Sequence, residues 1–353
     1  MNLKNDFSFF TKRIDQPNIE TDYFQIFANN NYVDVPRDDD LKGDAILLKF
    51  EQRVWKYNIE DNKDNIQVFN SFYNKDEASD EYFMHDIYYT DASNSTLENP
   101  ISCLPTLSFR TLLIHEQLHA KFGLPIYFGR MVRIHPIRES LTSMYISDCI
   151  VGVPKKDLID FFQVDKCYYY NEHTNYSVSH RRKASKTDAI PFGNYFNKAL
   201  YFTEKSVNQR FEDALELVSD FLSDYNSIVE YLHEVGVGLE IHGQNLLVYV
   251  DSSGNSIRRY LYRDLGNCTI SPNLYNKNGD IDEYYQKNHK FDFQATGQVI
   301  SVNACTWQSF RIFVLGFLFY NLDKYQIDND LNFDVYKWGN EIIERGEFLK
   351  NIY

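Results

Sequence analysis

The chain has 353 residues, 43% of them hydrophobic and 16% aromatic, and a formal net charge of −14. That length exceeds the usual single-core size and predicts two domains, while the acidic balance argues against nucleic acid or an anionic membrane as a partner. Any anion bound here must therefore be met by a few locally placed cations.

Cys103, Cys149, Cys167, Cys268 and Cys305 are odd in number and lack C-x-x-C spacing, so neither a disulfide framework nor a zinc ribbon is expected. The opening Met1-Asn2-Leu3-Lys4-Asn5-Asp6-Phe7 has no apolar run of the secretory kind. The most apolar stretch, Phe313 to Phe319, falls well short of the roughly 20 residues that cross a bilayer. A soluble cytoplasmic protein is the expectation.

The first hundred residues alternate aromatic runs with acidic loops such as Asp38-Asp39-Asp40, which predicts strands and short helices on a β-rich layer. Further on, Leu107-Ser108-Phe109-Arg110-Thr111 is followed by Lys121 and Arg133. Two hydroxyls bracketing an arginine make an anion cradle: hydroxyls donate, guanidinium forks onto phosphate oxygens, and lysine adds a point charge. The plainer reading is scattered surface cations beside a helix cap. Within this stretch His115-Glu116-Gln117-Leu118-His119 fits H-E-x-x-H, which on a helix aims two imidazoles at a zinc, with Glu139 as a conceivable third ligand. Exposed histidines are the competing reading. Polar residues from Tyr170 to Asn194 mark a linker, and His180-Arg181-Arg182-Lys183-Ala184-Ser185-Lys186 within it predicts a solvated loop or a rim that attracts an anion.

Ser206 and Gln209 form a capping-box pair ahead of Phe211, Leu215, Val218, Leu222, Tyr225, Val229 and Leu232, predicting a long helix that ends at Gly236 and Gly238. A β-hairpin follows over residues 239–264, two apolar runs around Asp251-Ser252-Ser253-Gly254-Asn255. It carries Glu240, His242, Gln244 and Asn245 on its first strand and Arg263 and Asp264 at the end of its second. If Val250 faces Ser256, counting back places His242 opposite Asp264. Two carboxylates and an amide are oxygen donors suited to Mg²⁺ and the phosphates it bridges; the alternative is a hairpin end whose polar groups cap backbone. Thr306 to Leu322 and Asp334 to Leu349 read as further helices. His85, His135, His173, His180, His233 and His289 lack ligand spacing, and Trp55, Trp307 and Trp338 sit among apolar neighbours as core candidates.

In order along the chain, S-x-R-T, K, R, E-x-H-G-Q-N and R-D resemble the ATP-grasping core of the NRPS-independent siderophore synthetases, aerobactin-synthetase type, over roughly residues 100 to 325. The matching positions are Ser108, Arg110, Thr111, Lys121, Arg133, Glu240, His242, Gln244, Asn245, Arg263 and Asp264. The resemblance implies an α+β, hand-like enzyme of antiparallel sheets flanked by helices, with residues 1–205 as a fingers-like domain shortened at its start and 206–353 as a palm-like domain. It further implies ATP and Mg²⁺ as cofactors, and activation of a carboxylic acid as an acyl-adenylate that passes to an amine or hydroxyl. On that basis Ser108, Arg110, Thr111, Lys121, Arg133, His242, Gln244, Asn245 and Arg263 would line the nucleotide, with Lys121, Arg133 and His242 catalytic, and Glu240, Asn245 and Asp264 would hold the metal.

Two departures accompany the resemblance. Nothing before Ser108 matches the family's G-H-P segment and following lysine, and the basic C-terminal portion has no counterpart. A catalytically silent nucleotide-binding homologue, or a chain completed by a homodimer mate or a partner protein, is therefore the second expectation. A small-molecule kinase is less favoured, because Gly243 is followed by Gln244 where that class needs a carboxylate to take a hydroxyl proton.

Overall fold

The computed structural model describes residues 52–58, 66–74, 81–85, 101–105, 110–115, 118–123, 127–128, 131–132, 134–151, 157–170, 176–182, 189–201, 203–243, 245–250, 257–271, 279–293 and 302–345. Six strands come first: β1 (Gln52–Asn58), β2 (Ile66–Asn70), β3 (Glu81–His85), β4 (Ile101–Pro105), β5 (Thr111–His115) and β6 (Leu118–Phe122). The short β7 (Tyr127–Phe128) and β8 (Met131–Val132) pair with each other. After helix α1 (Ile137–Val151) come β9 (Ile159–Phe161), β10 (Gln163–Tyr170) and β11 (Val178–Arg182). Eight of these strands form one antiparallel sheet in the order β2-β10-β11-β6-β5-β4-β1-β3.

The stretch expected to be a linker instead contains β11, the short β12 (Ile190–Pro191) and helix α2 (Phe192–Tyr201). His180 and Arg181 are buried, and only Arg182 of that strand is exposed. Val178 to Arg181 are all buried, so both faces of this strand are covered there, and composition alone does not reveal that.

Helix α3 (Val207–Val235) behaves as its termini predict. The Ser206 hydroxyl accepts the Gln209 N–H and the Gln209 side chain accepts the Ser206 N–H, while Gly236 closes the helix at φ 76°. Its buried positions, Phe211, Ala214, Val218, Phe221, Leu222, Tyr225, Ile228, Val229 and Leu232, recur every three or four residues and form one apolar stripe. Then come β13 (Val237–Gly238), the hairpin β14 (Leu246–Val250) and β15 (Ile257–Tyr262), and β16 (Thr269–Ile270). A second sheet runs β12-β14-β15-β9, with β9 parallel to β15. Helix α4 (Gly279–His289) follows. Helix α5 (Val302–Phe310) continues through wider π-type turns at Arg311–Phe319 into α6 (Tyr320–Asp328), and α7 (Val335–Arg345) comes last. The architecture is α+β, antiparallel sheets flanked by helices.

One hydrophobic cluster joins α1, α3, the hairpin and the α5–α6 helix, through residues such as Tyr145, Phe192, Phe221, Tyr260 and Phe313. No helix among the described residues is long and apolar enough to cross a membrane.

Buried Asp148 on α1 pins three elements together: it accepts the Phe72 N–H at 2.7 Å and the Tyr285 hydroxyl of α4 at 2.6 Å. Burial pushes its carboxyl up to about 7, against the pull of these hydrogen bonds. An unfolded aspartate ionises near about 4, so as pH rises the unfolded chain releases this proton first. The stability that Asp148 contributes is full below that value and is lost as pH climbs through about 7. Asp148→Asn is therefore expected to flatten the decline of unfolding free energy over this window in urea titrations; an unchanged slope would assign the decline to other groups.

Candidate functional site

The hairpin differs in register from the sequence expectation. Leu246 pairs with Tyr262 and Tyr249 with Arg259, but Val250 pairs with Ile257, so one extra residue bulges out of β15. The first strand begins at Leu246, and the Arg263 N–H donates to the Asn245 carbonyl at 3.0 Å. His242 lies ahead of the strand in a turn, where its carbonyl accepts the N–H groups of Asn245 and Leu246, both at 3.0 Å. It does not face Asp264 across a ladder. The turn seats on α2, where the Gly193 N–H donates to the Gly243 carbonyl at 3.1 Å, and a Cβ at Gly193 would meet that same oxygen at 3.1 Å. Upstream, the Ser309 hydroxyl of α5 accepts the Ile241 N–H at 3.0 Å and donates to the Leu239 carbonyl at 2.6 Å, fixing the segment that carries Glu240.

Thr111 pairs with Lys121 across β5 and β6, Lys121 pairs with Ser179 across β6 and β11, and Arg181 pairs with His119. These residues therefore share one face of the large sheet, with Lys121 and Arg181 as diagonal neighbours. Asp264, just past β15, arrives at that face in a left-handed conformation with φ 74°. Lys121 Nζ lies 2.8 Å from both carboxylate oxygens, and Arg181 Nη2 lies 2.9 Å from Oδ1. The two cations are 5% and 2% exposed in their side chains, against 27% for Asp264. The next turn tucks under α1, since a Cβ at Gly266 would stand 3.1 Å from the Ser143 hydroxyl.

A polar seam holds α1 against β11. Buried His135 reaches the Ser179 and Ser140 hydroxyls with Nε2, both at 2.9 Å, and the Glu139 carboxylate with Nδ1 at 3.4 Å. The Ser177 hydroxyl donates to the His135 carbonyl. Arg110 Nη1 donates to the Ile134 carbonyl at 2.6 Å, tying the start of β5 to the same seam.

The electrostatics follow from this crowding. Burial, then its two guanidinium neighbours, pull the Lys121 ammonium down to about 7, with Asp264 opposing. Burial by itself would raise the Asp264 carboxyl, but Lys121, Arg181 and Arg110 hold it well below the usual carboxylate range. Burial pushes the imidazoles of His135 and His242 down to about 3 and about 4, so both are neutral at physiological pH. Burial and then repulsion from Asp264 push the Glu240 carboxyl up, although Asn267 Nδ2 donates to it at 3.0 Å. Two cations thus contact one carboxylate and a third acts on it from farther off in a chain of net charge −14, and removing one partner of such a buried pair costs about 3–5 kcal/mol.

Of the residues singled out from sequence, Arg110, Thr111, Lys121 and Asp264 come together, with Glu240, Asn245, His242 and Arg263 on the adjoining turn and strand end. Ser108, Arg133 and Gln244 lie outside the described residues. Asp264, Glu240 and Asn245 offer oxygen donors only, and two mutually repelling carboxylates beside an amide fit a Mg²⁺ that keeps water or phosphate in its other positions. Among the described residues no group of three or more His, Cys, Asp or Glu side chains gathers to hold a metal. The zinc-helix reading of H-E-x-x-H does not hold, because His115 ends β5 and His119 lies in β6, where its ring packs 4.8 Å from that of Phe162. Sequence reasoning missed Arg181, which looked like part of a solvated run; only the alternation of Val178 to Arg182 hinted that one of the two arginines turns inward.

This α+β fold is shared with a solved structure. The petrobactin biosynthesis protein AsbB of Bacillus anthracis shares it at a TM-score of 0.57 and 14% identity, over 89% of this chain and 63% of AsbB. The chain thus spans a little under two thirds of the length of that protein. Also similar are ATP-bound aerobactin synthetase IucA of Klebsiella pneumoniae, at a TM-score of 0.42 and 16% identity over 79% of this chain and 62% of IucA. Aerobactin synthetase IucC of the same organism matches at 0.42 and 14%, over 80% and 63%. No family model and no curated protein matches the sequence. The likeness to siderophore synthetases drawn from motif order is therefore borne out as a likeness of fold.

The contact of Gly193 with Gly243 generates a test of how the turn is held. Gly193→Val is expected to overpack it, at about 1–3 kcal/mol, and to speed hydrogen exchange at the Asn245 and Leu246 amides while the centre of α3 stays protected. Unchanged exchange at those two amides would show that the turn does not depend on this contact.

Proposed function

We propose that the protein is an ATP- and Mg²⁺-dependent ligase that activates a carboxylic acid as an acyl-adenylate and condenses it with an amine or hydroxyl. One observation carries this reading: Lys121 and Asp264, 143 positions apart, meet with Arg181 on one sheet face, within the electrostatic reach of Arg110 and beside the Glu240–Asn245 turn. In this reading residues 1–205 act as fingers and 206–353 as a palm, and the reaction takes place between them. The fold shared with AsbB supports the assignment.

Attack of a carboxylate on the α-phosphorus brings two anions together, so the rate depends on fixed positive charge more than on any protein nucleophile. Lys121 and Arg110 would meet phosphate oxygens and the carboxylate under activation, with Arg133 and Ser108 joining them as the motif order implies. Thr111, facing Lys121, would donate its hydroxyl to the same anion. Asp264, Glu240 and Asn245 would hold Mg²⁺, which would supply neutralisation of phosphate charge. His242, kept neutral by burial, would accept a hydrogen bond from the incoming amine, and the amine proton would pass to water. Bond formation between acid carboxylate oxygen and phosphorus expels pyrophosphate, and the amine then displaces AMP.

Hydroxylamine trapping across a panel of polycarboxylic and amino acids checks this. The expected outcome is hydroxamate with release of AMP and pyrophosphate, reduced by roughly 100-fold in Lys121→Met, the scale of losing one electrostatic contact to the transition state. Release of ADP would move the assignment to phosphoryl transfer. Tight Mg·ATP binding without hydroxamate from any acid would identify a non-catalytic nucleotide-binding chain or one completed by a partner.

A further inference from the structure

Asp264 is held twice, and the two holders differ in kind. Lys121 reaches it on a flexible four-carbon stem ending in a point charge that can turn to any nearby oxygen. Arg181 reaches it with one arm of a rigid fork and is among the largest fully buried side chains. β6 and β11 are each hydrogen-bonded on both edges, so the difference lies in the side chains. The lysine stem can swing its ammonium to another oxygen, whereas the planar guanidinium keeps its contact with Oδ1 in one orientation only.

The lone pairs of the carboxylate lead to the same division. An ionised carboxylate has about four acceptor positions. Lys121 lies within hydrogen-bond distance of both oxygens, and Arg181 takes a position on Oδ1 alone. If Lys121 departs, Oδ2 becomes wholly open while Oδ1 stays anchored. Arg181 Nε, also buried, has no hydrogen-bond partner, so the guanidinium is committed to this carboxylate through its Nη2 arm.

We propose that Arg181 is a positioning residue that stays on Asp264 while Lys121 exchanges from Asp264 to the phosphates of the incoming nucleotide. The inference rests on the nucleotide reading given under Proposed function. Its consequence is a division of labour. Lys121 sets affinity for polyphosphate with or without metal, and Arg181 acts only through Asp264, on the metal-dependent part of binding.

Calorimetry on the full chain separates the two roles, with Mg-free inorganic triphosphate as one probe and ATP over a Mg²⁺ series as the other. Lys121→Met is expected to weaken both by about tenfold or more. Arg181→Lys is expected to leave triphosphate affinity within about twofold while raising the Mg²⁺ concentration for half-maximal ATP binding by about tenfold. Asp264→Asn supplies a second variant should Arg181→Lys fold poorly, and it is expected to reproduce the Mg²⁺ shift without the loss of triphosphate. Equal weakening of both probes by Arg181→Lys and Asp264→Asn, or an unmoved Mg²⁺ requirement in either, overturns the role of Arg181. If the wild-type chain binds neither probe, the nucleotide reading itself fails and the inference falls with it; if it binds both, only the Arg181 assignment is at stake.

Discussion

A carboxylate taken out of water must find positive charge within a few ångströms or give up its own, and Asp264 finds two cations. Lys121 and Arg181 come from neighbouring strands of the large sheet, and Asp264 comes from the end of a hairpin in the other. The contact is thus a fastening between the sheets as well as a candidate site. It also constrains register: slipping β6 or β11 by one residue would turn Lys121 or Arg181 to the opposite face and leave a buried charge uncompensated. The Ser–His–Glu seam around His135 and the close approach of Gly266 to α1 make sense as supports for that geometry.

The distribution of charge gives the site its chemical character. Histidines that could have carried charge, His135 and His242, are driven neutral by burial, which leaves fixed positive charge to the arginines while Lys121 titrates at about 7. Neutral imidazoles can accept hydrogen bonds, while the guanidinium of Arg181 stays aimed at an anion. A chain of net charge −14 that concentrates cations on one sheet face has a local preference opposite to its overall one.

Features set by contacts a few residues apart were legible in the sequence. The capping box of Ser206 and Gln209, the stripe on α3 and the αL glycine at Gly236 are local, and each is present as read. The hairpin was legible as a hairpin, but its register was not. The bulge in β15 and the turn that takes Glu240 to Asn245 off the ladder depend on how Gly243 seats on Gly193 and how Ser309 grips the backbone, contacts made between distant elements. H-E-x-x-H misled for a related reason, since a five-residue pattern does not state its own secondary structure and the surrounding β-propensity of Leu112 to Ile114 prevailed.

By itself the sequence determined the inventory and its order: which cations, carboxylates and amides exist, where they stand along the chain, and that helices and strands alternate around them. Only the tertiary structure decided that Asp264 belongs to Lys121 and Arg181, that Arg181 lies inside while Arg182 faces out, and that His242 sits in a turn. The physical reason is range. Capping, periodicity and turn chemistry act over a few residues, whereas the partners of this buried charge, 83 and 143 residues away, are chosen by desolvation and packing among distant segments.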